Sequence, residues 1–202
     1  MSANQHSDSV AKPLAWRQHI RQDVQSMHAY AIQDATGMVK LDAMENPFGL
    51  SADLQTELGQ RLGAVALNRY PGERVNELRH ALAQYAQMPE GFDIMLGNGS
   101  DELISLVSMA CDVPGAHFVA PVPGFVMYAM SAQLQGIQFQ GVPLTANFEL
   151  DEAAMLAAIA QYKPAVVYLA YPNNPTGTLW DADVIERIVV AQGQQGGLIV
   201  MD

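Results

Sequence analysis

Residues 165–177 read AVVYLAYPNNPTG, and this stretch decides the class of fold. Its first six residues form a short apolar run of the kind found in strands that are buried on both faces of a parallel sheet. The two prolines and the glycine that follow stop the run and predict a turn. The stretch therefore predicts a central strand whose carboxyl end opens into a rigid loop.

The alternation of short apolar runs with helical patterns continues on both sides of this strand, from residue 92 to residue 202. Such alternation is typical of strand–helix–strand units stacked around a largely parallel sheet, so it predicts an α/β fold. The predicted strands lie at residues 94–96, 116–120, 137–142, 165–170 and 198–201, and the predicted helices at residues 100–111, 125–135, 151–162 and 181–191.

The pattern before residue 92 is less regular. Apolar residues recur every two to four positions in residues 13–30, which is typical of an arm laid over another surface. Residues 38–49 alternate between apolar and polar and are stopped by proline and glycine. Ser51 is predicted to cap a helix with leucines on one face, and a second helix is predicted over residues 75–85, with Leu78, Leu82 and Tyr85 facing inward.

The composition excludes several classes of protein. Half of the 202 residues are hydrophobic and 15% are charged, which is too apolar for a disordered chain. The apolar runs are shorter than the roughly 20 residues that span a bilayer. Ten basic against 21 acidic residues give a net charge of −11, which argues against nucleic acids and acidic membranes as partners. A single cysteine, Cys111, and an amino terminus without a secretion signal predict a cytoplasmic protein.

Open parallel sheets bind ligands beyond the carboxyl ends of their strands, and two loops there carry suitable groups. The glycine-rich turn at residues 97–102 precedes a helix, whose first free N–H groups suit a phosphate; by itself it is equally a helix cap. Phe125 and Tyr128 follow the next strand, where an aromatic ring could stack on a flat ligand or serve only as core.

Two further loops complete this edge. The prolines of residues 171–177 hold two adjacent amides, Asn173 and Asn174, in a rigid loop that could aim a donor or form a plain turn. Asp202 ends an apolar strand, where a carboxylate needs a cation or donors unless it begins a solvated loop. The four loops together predict a site for a phosphorylated heteroaromatic ring. Backbone amides suit its phosphate, an aromatic side chain can stack on its ring, and an asparagine and an aspartate can bond to its polar atoms.

Five motifs in order carry a family resemblance: KLDAMENPFG at residues 40–49, NRYP at 68–71, GSDE at 99–102, FVMY at 125–128 and PNNPTG at 172–177. On these motifs the chain resembles fold-type I pyridoxal-phosphate enzymes, and most of all the histidinol-phosphate aminotransferases. The resemblance implies a three-layer α-β-α fold with a mostly parallel sheet. It also implies that residues 1–50 form an arm and part of a small domain, and that residues 51–202 form the first part of a large cofactor-binding domain.

The resemblance assigns the cofactor contacts residue by residue. The backbone N–H groups of Ser100 and Asp101 would hold the phosphate of pyridoxal 5′-phosphate, and Phe125 would stack on the pyridine ring. Asn174 would donate a hydrogen bond to the phenolic oxygen, and Asp202 would pair with the pyridinium nitrogen. Ser100, Asp101, Phe125 and Asn174 lie within the motifs quoted above, and Asp202 follows the last predicted strand.

The resemblance also implies a homodimer, because a tyrosine at the position of Tyr70 reaches the cofactor phosphate of the neighbouring subunit. On the substrate side it implies roles for Tyr30, Glu45 and Asn46, which match the region that closes over the substrate. Met44 departs from the family pattern, in which asparagine is common at this position.

The activity implied is amino-group transfer between glutamate or 2-oxoglutarate and histidinol phosphate or imidazole-acetol phosphate, a step of histidine biosynthesis. The resemblance implies that the lysine that bonds to the cofactor lies beyond Asp202, and Lys12, Lys40 and Lys163 all stand in contexts that do not suit that role. The sheet is also expected to be incomplete at its carboxyl end, since the last predicted strand has no covering helix after it. We therefore expect the chain to be the front half of a longer protein.

Two alternatives remain open from the sequence. Another fold-type I enzyme, such as an aromatic aminotransferase or a phosphothreonine-type decarboxylase, would share every cofactor residue named above. A non-catalytic Rossmann-type phosphate-binding module is disfavoured, because the glycine spacing is wrong for the dinucleotide fingerprint. No metal is predicted, since the histidines at positions 6, 19, 28, 80 and 117 lack paired ligand spacing.

Overall fold

The structure is a computed structural model that describes residues 15–28, 34–40 and 45–202. The chain divides into two compact units, Met1–Met38 and Val39–Asp202. In the first unit, a short 3-10 helix spans Ala15–His19 and helix α1 spans Gln22–Gln25. The side-chain amide of Gln25 donates hydrogen bonds to backbone carbonyls of the preceding turn, which ties these two short elements together.

The second unit contains the sheet and the longer helices. Its four described strands are all parallel to their neighbours, in the order β2-β1-β3-β4. The elements of this unit, in chain order, are α2 (Ala52–Gly63), α3 (Arg74–Tyr85), α4 (Ser100–Ala110), β1 (His117–Val122), α5 (Val126–Gln135), β2 (Gln138–Pro143), α6 (Glu152–Tyr162), β3 (Val166–Leu169), α7 (Ala182–Gln194) and β4 (Leu198–Met201). The predicted α/β class and parallel sheet are confirmed.

The strand register explains why the predicted runs are apolar. Val119 of β1 lies opposite Val167 of β3, which in turn lies opposite Ile199 of β4. All four residues of β3 are buried, because helices cover both faces of this central strand. Successive residues of a strand point to opposite faces, so each strand contributes side chains to two cores.

The two hydrophobic cores lie on opposite faces of the sheet and give the three-layer arrangement. One core joins the sheet to α4 and α5 through Ile104, Phe118, Tyr128, Ala132 and Tyr168. The other joins it to α6 and α7 through Val119, Met155, Ile159, Val167 and Ile188. The three-layer α-β-α prediction is therefore confirmed.

Polar side chains begin three of the helices where the sequence predicts. Asp151 accepts a hydrogen bond from the backbone N–H of Ala154 at 2.9 Å, and Asp181 accepts one from Asp183 at 2.8 Å. Ser51 caps α2 in the same way. Such caps satisfy amides that have no partner inside the helix, and each is worth about 1 kcal/mol.

One predicted strand, residues 94–96, is wrong. These residues have irregular backbone, and the carbonyl of Ile94 accepts a hydrogen bond from Arg79 Nε at 2.8 Å. A strand forms only when a neighbour pairs with its backbone groups. No segment among the described residues pairs with 94–96, so an apolar run alone was an insufficient signal.

The predicted inward face of α3 is also wrong. Leu78, Leu82 and Tyr85 are 50%, 37% and 89% exposed. Residues of α3 belong to neither hydrophobic core, because both cores are built on the sheet and the helices that follow it. Periodicity shows that a helix has an apolar face but does not show what covers that face. None of the helices in the described parts of the chain is both long and apolar enough to cross a membrane.

Candidate functional site

The loops after β1, β3 and β4 meet at the carboxyl edge of the sheet because these strands are parallel neighbours. The backbone N–H of Asp202 donates to the carbonyl of Leu169 at 3.0 Å, and the N–H of Tyr171 donates to the carbonyl of Asp202 at 2.8 Å. These bonds extend the β3–β4 ladder past the strand ends. They fix the backbone of Asp202 beside the loop that carries the two asparagines.

The carboxylate of Asp202 is bound by a buried phenol. Tyr128 Oη donates a hydrogen bond to Asp202 Oδ2 at 2.7 Å, across 74 positions of sequence. Tyr128 is 2% exposed, whereas Asp202 is exposed. Burial, and after it the hydrogen bond to Asp202, raises the pKa of Tyr128 well above its ordinary value. The phenol is therefore a neutral donor at physiological pH.

Phe125 stands beside the same phenol. Its ring lies edge-on to that of Tyr128, with centroids 5.5 Å apart and planes at 89°. The turn before Phe125 requires glycine, because a Cβ on Gly124 would overlap the carbonyl oxygen of Pro121. Phe125 is half-buried, so part of its ring remains open at the sheet edge. Phe125, Tyr128 and Asp202 thus form one contact network.

The two asparagines of the loop after β3 differ sharply in environment. Asn173 is 1% exposed, and its Nδ2 donates to the carbonyl of Pro123 at 3.2 Å and to Thr176 Oγ1 at 2.8 Å. It thereby ties this loop to the loop that carries Phe125. Asn174 is half-buried, and its side chain makes no hydrogen bond with any residue that the structure describes. Its amide is therefore available to a ligand.

The glycine-rich turn leads into α4 as predicted. Gly99 has φ +82°, and α4 begins at Ser100, so the first helical amides point out of the helix end without intrahelical partners. Ser100 and Asp101 are exposed. The backbone N–H of Asn98 is taken by the Glu102 carboxylate. In the described chain no hydrogen bond or ring contact links this turn to Asp202, Phe125 or Asn174.

Tyr70 lies apart from this network, between α2 and α3. Its side chain is 98% exposed and borders an open cavity of about 570 Å³ that also contacts Arg69, Arg74 and Leu78. A tyrosine this exposed contributes little to the core of its own subunit. It is therefore free to contact another molecule.

The residues predicted on the substrate side are only partly described. Glu45 faces Lys40, with Oε2 and Nζ 3.7 Å apart, and Asn46 Oδ1 accepts the backbone N–H of Phe48 at 3.0 Å. Tyr30 lies outside the described residues. Lys163, one of the lysines judged unsuitable for bonding to the cofactor, follows the last residue of α6 in left-handed backbone with φ +44°. These contacts are local and do not join the network around Asp202.

Sequence reasoning named two residues of this edge but missed their contacts. It treated Tyr128, with Phe125, as a possible stacking ring or core residue and did not predict its hydrogen bond to Asp202. It treated Asn173 and Asn174 as a pair. The proline on each side of the pair gave no signal that one amide is buried and the other is open.

Comparison with known proteins shows which family the chain is similar to. Residues 36–202 match the family described as aminotransferase class I and II. The chain is 75% identical over 195 residues to a histidinol-phosphate aminotransferase of Polaromonas naphthalenivorans, which covers 96% of this chain and 53% of that protein. It is 65% identical to a histidinol-phosphate aminotransferase of Methylibium petroleiphilum, with coverage of 99% and 54%. The chain thus spans about half the length of the curated relatives it matches.

Solved structures share the fold. The crystal structure of histidinol-phosphate aminotransferase from Sinorhizobium meliloti in complex with pyridoxal-5′-phosphate superposes with a TM-score of 0.72. The match covers 91% of this chain and 50% of the Sinorhizobium meliloti chain, at 23% sequence identity. At this identity the likeness concerns the fold, and it agrees with the parallel sheet and flanking helices described above.

Proposed function

The chain belongs to the class I and II aminotransferases, and from this premise we propose that the full-length gene product is a pyridoxal-phosphate-dependent histidinol-phosphate aminotransferase. It exchanges an amino group between glutamate or 2-oxoglutarate and histidinol phosphate or imidazole-acetol phosphate, in cytoplasmic histidine biosynthesis. The observation that carries this proposal is the 75% and 65% identity, over nearly the whole chain, to relatives with that name.

The groups at the sheet edge fit the ring of pyridoxal phosphate. The Asp202 carboxylate has one oxygen hydrogen-bonded to Tyr128, which leaves the other to accept a hydrogen bond from a protonated ring nitrogen. The open part of the Phe125 ring can stack on a flat heterocycle, and the Asn174 amide can donate to its phenolic oxygen. Asp202, Phe125 and Asn174 would thus provide an ion pair to the ring nitrogen, a stacking contact and a hydrogen-bond donor for the ring.

The phosphate is proposed to bind at the start of α4. The backbone N–H groups of Ser100 and Asp101 lie at the positive end of the helix dipole, and Gly99 lets the chain approach an anion closely. In a homodimer, the exposed Tyr70 of one subunit would add its hydroxyl to the phosphate site of the other. The phosphate would thereby anchor the cofactor at the start of α4.

When bound, pyridoxal phosphate supplies an electron sink for the pair left by a broken Cα–H bond. The residues described here bind and orient; they do not carry the proton. Asp202 would pair with the protonated ring nitrogen, and Asn174 would donate a hydrogen bond to the phenolic oxygen of the ring. The bonding lysine and the substrate-binding arginine are proposed outside this chain. Tyr30, Glu45 and Asn46 are proposed to lie on the substrate side of the site. Residues 1–50 are proposed to form an arm and part of the small domain, and residues 51–202 the first part of the large domain.

The test uses the full-length protein. Mixed with pyridoxal phosphate, it should develop a visible absorption band that glutamate removes. The amino form should then convert imidazole-acetol phosphate faster than aromatic or aliphatic keto acids. A band that is indifferent to amino donors would exclude an aminotransferase, and a preference for another keto acid would assign the protein to a different substrate.

A further inference from the structure

We propose that Tyr128 is a positioning residue that holds the Asp202 carboxylate in place for the protonated ring nitrogen of the cofactor. The inference rests on the proposed function and adds to it a residue that acts through Asp202. The hydrogen bond from Tyr128 Oη to Asp202 Oδ2, at 2.7 Å, is the observation that starts the argument.

The orientation of the phenol is fixed by its packing. The Tyr128 ring stacks on Tyr168, with centroids 4.5 Å apart and planes at 10°, and Tyr168 is fully buried against Phe118. Phe125 closes the other side edge-on. The Tyr128 ring is held between two aromatic neighbours, Tyr168 and Phe125, and its hydroxyl is directed at the Asp202 carboxylate. This hydrogen bond restricts the rotation of the Asp202 side chain, whose backbone is already held beside Leu169 and Tyr171.

The chemistry of the donor suits an acid that must stay charged. Burial raises the pKa of Tyr128, so the phenol stays protonated and donates a hydrogen bond without transferring a charge. A cation in its place would pair with the carboxylate and compete with the ring nitrogen. A neutral donor occupies one oxygen, stabilises the ionised form and leaves the second oxygen to the ligand.

Tyr168 supplies a matched control. Its hydroxyl is also buried in the same stack, but it makes no hydrogen bond to Asp202. Tyr168→Phe therefore removes a buried hydroxyl from the same core without touching Asp202. Tyr128→Phe removes the hydroxyl that contacts it. The two variants differ in this contact and match in chemistry and burial.

The experiment measures equilibrium binding of pyridoxine 5′-phosphate to the full-length apoprotein by fluorescence titration. This probe has the ring and the phosphate but lacks the aldehyde, so no covalent bond hides the effect. A second probe is its analogue with the ring nitrogen replaced by C–H. We expect Tyr128→Phe to weaken the first probe about tenfold and the analogue less than about twofold, with Tyr168→Phe near wild type for both.

Each result decides the inference. Equal weakening of both probes, equal losses in the two variants, or no loss in Tyr128→Phe would each overturn it while leaving the proposed function intact. A wild-type protein that binds neither pyridoxal phosphate nor the probe would overturn the proposed function, and this inference with it. Should Tyr128→Phe not fold, p-aminophenylalanine at position 128 keeps a donor on the same ring; retained discrimination between the probes supports the inference, and its loss refutes it.

Discussion

Asn173 donates its side-chain amide to the carbonyl oxygen of Pro123, fifty positions earlier in the chain, at 3.2 Å. The bond joins the loop after β3 to the loop after β1 at the carboxyl edge of the sheet. Asn173 is almost completely buried, whereas its neighbour Asn174 has a side chain open to a ligand. Asn173 therefore joins the two loops, whereas Asn174 is the residue proposed to contact the cofactor.

Asn173→Ala should destabilise the fold by about 1–3 kcal/mol, because it removes both hydrogen bonds that the buried Asn173 amide donates, to the Pro123 carbonyl and to Thr176 Oγ1. Asn174→Ala should cost less than about 0.5 kcal/mol, since it breaks no bond among the described residues, yet it should weaken pyridoxal phosphate binding. Urea denaturation and cofactor titration of both full-length variants measure the two effects. Equal losses of stability would contradict the separation of roles.

Gly124→Ala should reduce both stability and cofactor binding. Its Cβ would overlap the Pro121 carbonyl oxygen, so the turn must open and Phe125 must move from its place against Tyr128. Gly193→Ala is the matched control, because its Cβ meets nothing within 4 Å in helix α7. That variant should gain about 0.5–1 kcal/mol of stability from helix propensity. Thermal melting separates the two, and a neutral Gly124→Ala would show that the turn can relax.

The buried tyrosines should make the protein unstable in alkali. Burial raises the pKa of Tyr128 and of Tyr168 above the ordinary value of 10.0, the Ser108 hydroxyl opposing the shift at Tyr168. Above pH 10 the unfolded chain releases these protons while the folded chain retains them, so the stability that is present below pH 10 is lost as pH rises. Urea midpoints from pH 8 to pH 11 should fall, and Tyr168→Phe should flatten the fall by about one proton. An unchanged slope would show that Tyr168 titrates normally.

A shared site predicts complementation between two inactive variants. Tyr70→Ala and Asp202→Ala homodimers should each lack activity, because every site misses one residue. Subunits unfolded and refolded together should regain about a quarter of wild-type activity, since half of the dimers are mixed and each mixed dimer holds one complete site. Refolding each variant alone is the control. No recovery in a mixture that contains mixed dimers would place Tyr70 outside the partner's site.

The sequence could predict the fold where each segment carries its own signal. The runs at 116–120, 137–142, 165–170 and 198–201 are apolar and end at turn residues, and all four became strands within a residue or two. The segment at 94–96 carries the same signal and formed no strand, because pairing requires a neighbour that a local pattern does not specify. The outward apolar face of α3 has the same cause.

The site shows the same division. Motif order was enough to indicate the family, and the resemblance led to Phe125, Asn174 and Asp202 as the proposed cofactor contacts. It was not enough to find the Tyr128–Asp202 hydrogen bond or the burial of Asn173.

The sequence by itself determined the alternation of strands and helices, the caps that begin the helices and the family, because these follow from periodicity and motif order within short stretches. Only the tertiary structure decided which of two adjacent amides is buried and which buried phenol meets Asp202. Those contacts join residues 50 and 74 positions apart. Their distances depend on how parallel strands align and how the intervening helices pack, which no local stretch encodes.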